Sequence, residues 1–327
     1  MDGGREAAAE GLSPVKVICH CEGDDGALFE TLRESVGKRL PDVEVHRWPD
    51  GDRVGITDAV VWKPPASFFD GLSGLERVHS FAAGVDHLLD HPGLPPEVTV
   101  IRLEDAGMAE PMSEYVLHAV LRAQRRVPLL EAAARGRHWT DGIDFPHAAA
   151  FGVGILGAGV LARAVATRLA LNGYPVSCWS RTEKTMPEGV SNHVGEQGLE
   201  RCLAAANVLV CLLPLTDATR DVLDAGLFAR LPRGAYLVNP GRGEHLVEAD
   251  LLAALDDGRL GGAMLDVFRT EPLPSEHPFW RDARITVTPH IAAPTPADAA
   301  SEQVAGNLSA IARGGAPSGL VDRERGY

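Results

Sequence analysis

Phe151-Gly152-Val153-Gly154-Ile155-Leu156-Gly157-Ala158-Gly159-Val160-Leu161-Ala162 decides how this chain folds. The apolar run Phe151–Leu156 reads as a buried strand, and Val160–Leu171 repeats apolar residues at helical spacing. Between them lies G-x-G-x-x-A, at Gly157, Gly159 and Ala162. The first glycine permits a strand-to-helix turn, and the second lets the backbone approach a diphosphate. The third position needs only a small residue where helix packs on strand. A helix that starts this way gathers N–H groups and the positive end of its dipole, which suits a dinucleotide. Any tight strand-to-helix turn favours glycine, so the motif counts here because a strand and a helix flank it.

The same alternation extends in both directions. Upstream, strands are expected at Val15–Cys19, Val43–His46, Thr57–Trp62, Val78–Phe81 and Val98–Leu103, with helices at Ala27–Leu40 and Ser67–Leu75 and a turn at Pro49–Asp52. One long helix is expected over Ala109–Ala134. Downstream, strands are expected at Pro175–Ser180, Val208–Leu213, Ala235–Asn239, Gly262–Val267 and Ile285–Thr288, and helices at Leu199–Ala205, Asp221–Leu231 and Ala249–Leu255. Two such arrays in tandem predict two α/β domains with parallel sheets. A last helix, Pro296–Arg313, follows the completed second array and is free to return to the first domain.

Composition sets the limits. The 327 residues are enough for about two domains. With 45% hydrophobic and 23% charged residues, disorder, collagen and coiled coil are excluded. A net charge of −14 gives no general field for nucleic acid or an anionic membrane. An anionic ligand must then be caught by a local cationic site. The five cysteines are odd in number and scattered, which is no disulfide framework. Cys19-His20-Cys21 reads as a strand end rather than a metal fragment, because no second Cys/His cluster answers it. No apolar run is long enough to span a membrane, and residues 1–14 lack the core of a signal peptide and read as a flexible tail. A cytoplasmic protein is expected.

The acidic residue that usually binds the ribose 2′-hydroxyl about 20 residues past the glycines is missing. Ser180 stands there, followed by Arg181, Thr182 and Lys184, which suit a phosphate. The alternative is a solvated basic turn. A missing carboxylate together with a cation favours NADP(H) over NAD(H). Ligands of open parallel sheets bind beyond the carboxyl ends of the strands. Those ends lead into Leu213-Pro214-Leu215-Thr216, Pro240-Gly241-Arg242-Gly243, Phe268-Arg269-Thr270-Glu271 and Pro289-His290. The trio Arg242, Glu271 and His290 suits carbonyl reduction. A histidine, which ordinarily titrates near about pH 6.5, can give the proton. A carboxylate beside it fixes the ring and favours its protonated form. An arginine can clamp an α-keto carboxylate and polarise the carbonyl. His245, close to Arg242, is the rival histidine.

The second array resembles the D-isomer-specific 2-hydroxyacid dehydrogenase family. The glycine-rich turn, Asn239-Pro240-Gly241-Arg242-Gly243, Asp266-Val267-Phe268 with Glu271-Pro272, and Thr288-Pro289-His290 fall in that family's order and spacing. Arg102–Glu110, Trp179–Lys184, Gly262–Phe268 and Gly319–Tyr327 are similar to its reductases of glyoxylate and hydroxypyruvate. The resemblance implies two doubly wound parallel-sheet domains, a Rossmann nucleotide domain and a flavodoxin-like substrate domain, with the active site in the cleft. It places a discontinuous substrate-binding domain at 1–107 and 292–327 and the dinucleotide-binding domain at 108–291. It makes Arg242, Glu271 and His290 catalytic. The cofactor would meet Gly157, Ala158, Gly159, Val160, Leu161, Ser180, Arg181, Thr182, Lys184, Leu213, Pro214, Thr216, Pro240 and Asp266. Ala83, Gly84 and Val85, in a loop whose N–H groups hold a carboxylate, and Trp48, Trp62 and Lys63 in the wall would meet the substrate. No metal is implied.

The reading that follows is NADPH-dependent reduction of a small 2-keto acid, with glyoxylate and hydroxypyruvate favoured. A reductase of a bulkier 2-keto acid and a cofactor-sensing protein with little turnover stay open. A phosphoglycerate dehydrogenase with a regulatory C-terminal domain is not expected with 37 residues after His290, and a formate-type dehydrogenase leaves the acid partner of the histidine unexplained. A homodimer is expected on the Ala109–Ala134 helix, whose Met112, Tyr115, Val116, Ala119 and Val120 form an apolar stripe. The alternative is burial of that stripe within the chain.

Overall fold

The structure is a computed structural model that describes residues 15–50 and 53–327. The expected tail at 1–14, and Gly51 and Asp52 of the expected turn, lie outside those residues. The chain divides into two compact units. One runs to Ala106 and takes up residues again from Thr295 to Arg325, and the other is Gly107–Pro294.

The first unit contains β1 (Lys16–Cys21), α1 (Ala27–Arg39), β2 (Glu44–Arg47), β3 (Asp58–Trp62), β4 (Arg77–Ser80), α2 (Asp86–Leu89) and β5 (Thr99–Ile101). Its strands form one parallel sheet in the order β2-β1-β3-β4-β5. β3 is buried almost throughout, which a strand covered on both faces requires. The terminal helix, Ala297–Ala312, packs on α1, and Arg39 donates to the Glu302 carboxylate at 2.7 Å across that seam.

The second unit contains α3 (Ala109–Gln124), α4 (Val127–Arg135), β6 (Val153–Leu156), α5 (Val160–Leu171), β7 (Val176–Ser180), β8 (Val190–Val194), α6 (Gly195–Ala204), β9 (Val208–Cys211), α7 (Ala225–Phe228), β10 (Ala235–Asn239), α8 (Glu248–Asp256), β11 (Leu260–Leu265) and β12 (Ile285–Val287). Seven parallel strands run in the order β12-β11-β10-β9-β6-β7-β8. The order reverses at β6, so a crevice opens at its carboxyl end next to β9. Two apolar clusters fill the faces, one around Leu209, Leu237 and Phe228 and one around Ile155, Val165 and Val210. All five cysteines are buried and free. Burial pushes the thiols of Cys178, Cys202 and Cys211 up to about 12. Among the described residues, no helix is long and apolar enough to cross a membrane.

Several expectations change. Ser67–Leu75 is a series of turns, not a helix, and Gly71 within it has φ +76°. The long helix is broken: Arg126 is left-handed at φ +49°, and Pro128, lacking an N–H, sits in the first turn of α4. The expected helix Asp221–Leu231 shrinks to Ala225–Phe228, starting where Asp224 accepts the Leu227 N–H at 2.7 Å. β8 has no expected counterpart. The apolar stripe of α3 faces its own unit: Met112, Val116, Ala119 and Val120 are buried beside β6 and α5, with Tyr115 packed against them.

One buried charge network fixes the start of β3. Asp58 is fully buried and accepts from Arg77 Nε (2.7 Å), Arg77 Nη2 (2.8 Å) and Thr57 Oγ1 (2.8 Å), with His79 Nε2 at 3.1 Å. Burial alone would push this carboxyl up, but the Arg77 and His79 hydrogen bonds outweigh it and hold it at about 2. An unfolded aspartate titrates near about 3.9. The folded value is the lower one, so the contribution is present above about pH 4 and is lost as pH falls towards 2. It is worth about 2–3 kcal/mol. Asp58→Asn leaves Arg77 without this carboxylate, and the expected loss of unfolding free energy at pH 7 is about 2–4 kcal/mol. Urea denaturation of both proteins should show that gap shrinking between pH 4 and pH 2.

Candidate active site

The glycine turn is built as its sequence requires. Gly157 has φ +118°, and a Cβ there would lie 2.7 Å from the Leu212 carbonyl oxygen on the neighbouring chain segment. Both facts demand glycine. Ala158 is buried, and buried Ala162 lets α5 close on the sheet. Gly159 precedes α5 and is exposed, and a Cβ on it would meet nothing within 4 Å. The first-turn N–H groups of α5, among them those of Val160 and Leu161, have no acceptor within the helix. Open space over a helix start fits a dinucleotide diphosphate.

The expected cofactor residues take different parts. Ser180 ends β7 and is buried. Its hydroxyl donates to the Thr182 carbonyl at 2.8 Å and accepts from Asn192 Nδ2 at 3.0 Å. It therefore shapes the turn from within. Arg181, Thr182 and Lys184 are exposed on that turn. After β9, Thr219 Oγ1 donates to the Pro214 carbonyl at 2.7 Å and accepts the Thr216 N–H at 2.9 Å, which fixes the loop of Leu213, Pro214 and Thr216. Pro240 is buried directly after β10. Asp266 is buried below the next loop. Its carboxylate accepts from Thr288 Oγ1 (2.6 Å), Ile291 N–H (2.9 Å) and Ala292 N–H (2.8 Å). Tyr115 of α3 in turn bonds Thr288 at 2.7 Å. Asp266 thus anchors the segment that carries His290.

Arg242, Glu271 and His290 follow β10, β11 and β12, three adjacent parallel strands whose carboxyl ends share one edge. At about 4.8 Å per strand, this spreads the three loops over about 10 Å. His290 Nδ1 meets Glu271 Oε2 at 2.8 Å, and both side chains reach solvent. The other Glu271 oxygen accepts the Phe268 N–H at 2.9 Å, which orients the carboxylate. His290 itself sits at φ +54°, held by its N–H to the Asp266 carbonyl at 2.8 Å. Arg242 is half-buried, and its carbonyl accepts from Asn239 Nδ2 at 3.0 Å.

The rival histidine lies within the edge but is closed off from solvent. His245 is fully buried; its Nδ1 accepts the Arg242 N–H at 3.2 Å, and its Nε2 lies 3.3 Å from the Pro214 carbonyl. It ties the loop after β10 to the loop after β9. Gly243 is the closest seam in this region: a Cβ there would fall 1.9 Å from the Phe268 carbonyl carbon. The segments that carry Arg242 and Glu271 therefore touch backbone to backbone. Motif reading found the three polar residues but not these supports. The glycine after the arginine was the one signal for them in the sequence.

The expected substrate residues lie in the other unit, at the carboxyl ends of its strands. Trp48 follows β2, Trp62 ends β3, and Ala83, Gly84 and Val85 lie between β4 and α2. Trp48 is partly a core residue, edge-on to His20 at 5.0 Å between ring centres. Lys63 is exposed at φ +44°, with its Nζ 5.5 Å from the centre of the Trp62 ring and 4.0 Å from Glu22. Among the described residues, no cluster of His, Cys, Asp and Glu could hold a metal ion.

Residues 117–292 match the family described as D-isomer specific 2-hydroxyacid dehydrogenase, NAD binding domain. A glyoxylate/hydroxypyruvate reductase A of Serratia proteamaculans (strain 568) is 44% identical over 297 residues, covering 89% of this chain and 94% of that protein. A D-isomer specific 2-hydroxyacid dehydrogenase of Xanthobacter autotrophicus Py2, solved with NADPH and MES, superposes with a TM-score of 0.89 at 37% identity, covering 97% of this chain and 100% of that one. An NADPH-dependent glyoxylate/hydroxypyruvate reductase of Sinorhizobium meliloti, solved with NADP and sulfate, gives a TM-score of 0.86 at 37% identity, covering 96% and 100%.

Two glycine variants separate the scaffold from the cradle. Gly243→Ala forces two backbones apart, and its melting temperature should fall by about 5 °C or more. Gly159→Ala places a methyl in open space and should melt within about 1–2 °C of wild type. Dinucleotide binding by that second variant, followed by calorimetric titration, should nonetheless weaken, because the methyl occupies the cradle.

Proposed function

The chain belongs to the D-isomer specific 2-hydroxyacid dehydrogenase family, and from that premise we propose that it reduces small 2-keto acids with NADPH, glyoxylate to glycolate and hydroxypyruvate to D-glycerate. The observation that carries the reading is the His290–Glu271 pair, 2.8 Å apart at the carboxyl edge of the sheet that also carries the glycine turn. The similar reductases of Serratia and Sinorhizobium support the substrate, and the two neighbours solved with NADPH or NADP support the cofactor.

In this reading residues 108–291 bind the dinucleotide, and residues 1–107 with 292–327 bind the keto acid. When bound, the reduced nicotinamide supplies a hydride to the carbonyl carbon. Glu271 accepts the Nδ1–H of His290, so Nε2 is the nitrogen that presents a proton to the carbonyl oxygen. The Phe268 N–H keeps Glu271 aimed at the ring. Arg242 clamps the substrate carboxylate and polarises the carbonyl. Ala83, Gly84 and Val85 hold the carboxylate through backbone N–H groups, while Trp48, Trp62 and Lys63 wall the pocket. Leu213, Pro214, Thr216 and Pro240 line the nicotinamide side, and Arg181, Thr182 and Lys184 take the 2′-phosphate. The protein works in the cytoplasm as a homodimer. Its contact surface is α4 and the segment after it, where α4 has no buried residue and Leu129 and Trp139 are 50% and 94% exposed.

NADPH oxidation followed over glyoxylate, hydroxypyruvate, pyruvate and longer keto acids tests the substrate. With the preferred acid, His290→Asn should lower kcat by about 10²- to 10⁴-fold while NADPH binding stays within about twofold. If His245→Asn abolishes turnover and His290→Asn does not, the proton donor is misassigned. Light scattering should give about 70 kDa, twice the chain mass of 34.8 kDa. Trp139→Asp combined with Leu129→Glu should shift that towards one chain, because both put charge into an apolar contact.

A further inference from the structure

The turn that carries the cations has almost nothing apolar to hold it. Arg181, Thr182, Glu183 and Lys184 are all exposed and lie between regular elements. Apart from Met186 two residues further on, which packs on the core, little burial offsets the entropy of ordering such a segment, so polar contacts matter to its shape. A single side chain supplies three such contacts. Asn192 lies on β8, opposite Cys178 of β7 in the parallel register. Its Oδ1 accepts the Lys184 N–H at 2.7 Å. Its Nδ2 donates to Ser180 Oγ at 3.0 Å and to the Cys178 carbonyl at 3.3 Å. Ser180 Oγ in turn donates a hydrogen bond to the Thr182 carbonyl at 2.8 Å. One amide thus fastens the turn at both ends, and its hydroxyl neighbour fastens the middle.

We propose that Asn192 is a positioning residue for cofactor choice: by stapling Ser180 to Lys184 it fixes the spacing of Arg181, Thr182 and Lys184 so that they converge on a ribose 2′-phosphate. This rests on the NADPH reading above. A phosphate is bound well only when its donors are already arrayed, since every donor that must be ordered on binding subtracts from the affinity. The staple also explains the residue at 180. A hydroxyl both donates and accepts, so Ser180 can join Asn192 to Thr182, whereas a carboxylate there has no proton for the Thr182 carbonyl. The serine therefore does more than leave out a repulsive charge. Asn192 touches neither the reacting atoms nor, in this scheme, the phosphate, and its removal should alter discrimination rather than turnover.

The decisive comparison is binding of adenosine 2′,5′-bisphosphate against 5′-AMP by titration calorimetry, on the whole protein. Wild type should prefer the bisphosphate. Asn192→Ala should reduce that preference about tenfold, the equivalent of one charge-assisted contact, while 5′-AMP binding stays within about twofold. In turnover, KM for NADPH should rise and kcat should hold. Asn192→Asp keeps an acceptor for the Lys184 N–H but loses the donor to Ser180 and adds a negative charge. It should lose bisphosphate binding further and keep 5′-AMP, and it serves as the test if the alanine variant does not fold. An unchanged preference, or equal loss of both nucleotides, would make Asn192 a structural staple alone and overturn the inference. A wild type that does not discriminate would instead remove the NADPH reading on which it rests.

Discussion

Parallel pairing is the constraint from which the site follows. In a parallel ladder each strand must be followed by a crossover before the chain can add another, so every carboxyl end in the sheet opens on the same edge. The seven strands from β6 to β12 obey this without exception. Their loops therefore gather the glycine turn, the cation-bearing turn after β7, Arg242, Glu271 and His290 along one line. Residues far apart in sequence become neighbours because their strands are neighbours. At the amino ends the charged side chains pair with one another instead, as Arg284 does with Asp282 and Asp256 before β12.

That edge is held by a second layer of contacts that runs mainly through the backbone. His245 joins the loops after β9 and β10, Gly243 lets the loops after β10 and β11 touch, and Asp266 grips the segment after β12. Each support links adjacent strands. The result is a continuous brace from the Pro214 loop to His290, with Tyr115 and Thr288 tying its far end to α3. Groups that transfer a proton or clamp a carboxylate need fixed positions more than they need high affinity, and rigid supports supply them.

Much of this is legible in the amino-acid order, for reasons that differ by residue. The central strands declare themselves because they are buried on both faces and so read as unbroken apolar runs. The placement of Arg242, Glu271 and His290 is legible because a polar residue just past such a run stands on the carboxyl edge of the sheet. β8 is silent, since Val190-Ser191-Asn192-His193-Val194 lies at the edge of the sheet and is largely polar; Asn192 was hidden with it. The break between α3 and α4 was available in Pro128, but helical periodicity across Ala109–Ala134 obscured it. The apolar stripe of α3, on which a homodimer is expected, is buried against the unit's own sheet; periodicity alone does not say whether the partner of such a stripe is another chain or the same one. The bonds of Ser180 to Thr182 and Asn192 are equally silent in the sequence, since which way a hydroxyl turns depends on the strand beside it.

The discontinuity of the first unit orders the chain in time. A polypeptide made from its N-terminus delivers β1 to β5 first, then every strand of the second unit, and only afterwards the terminal helix that covers α1. During synthesis the unit that begins the protein is thus the last to be completed. The face of α1 on which the terminal helix, with its buried Val304, Ala305 and Leu308, packs in the finished molecule stays uncovered while roughly 190 residues pass. The second unit can therefore close on itself before the first one does, although it starts later.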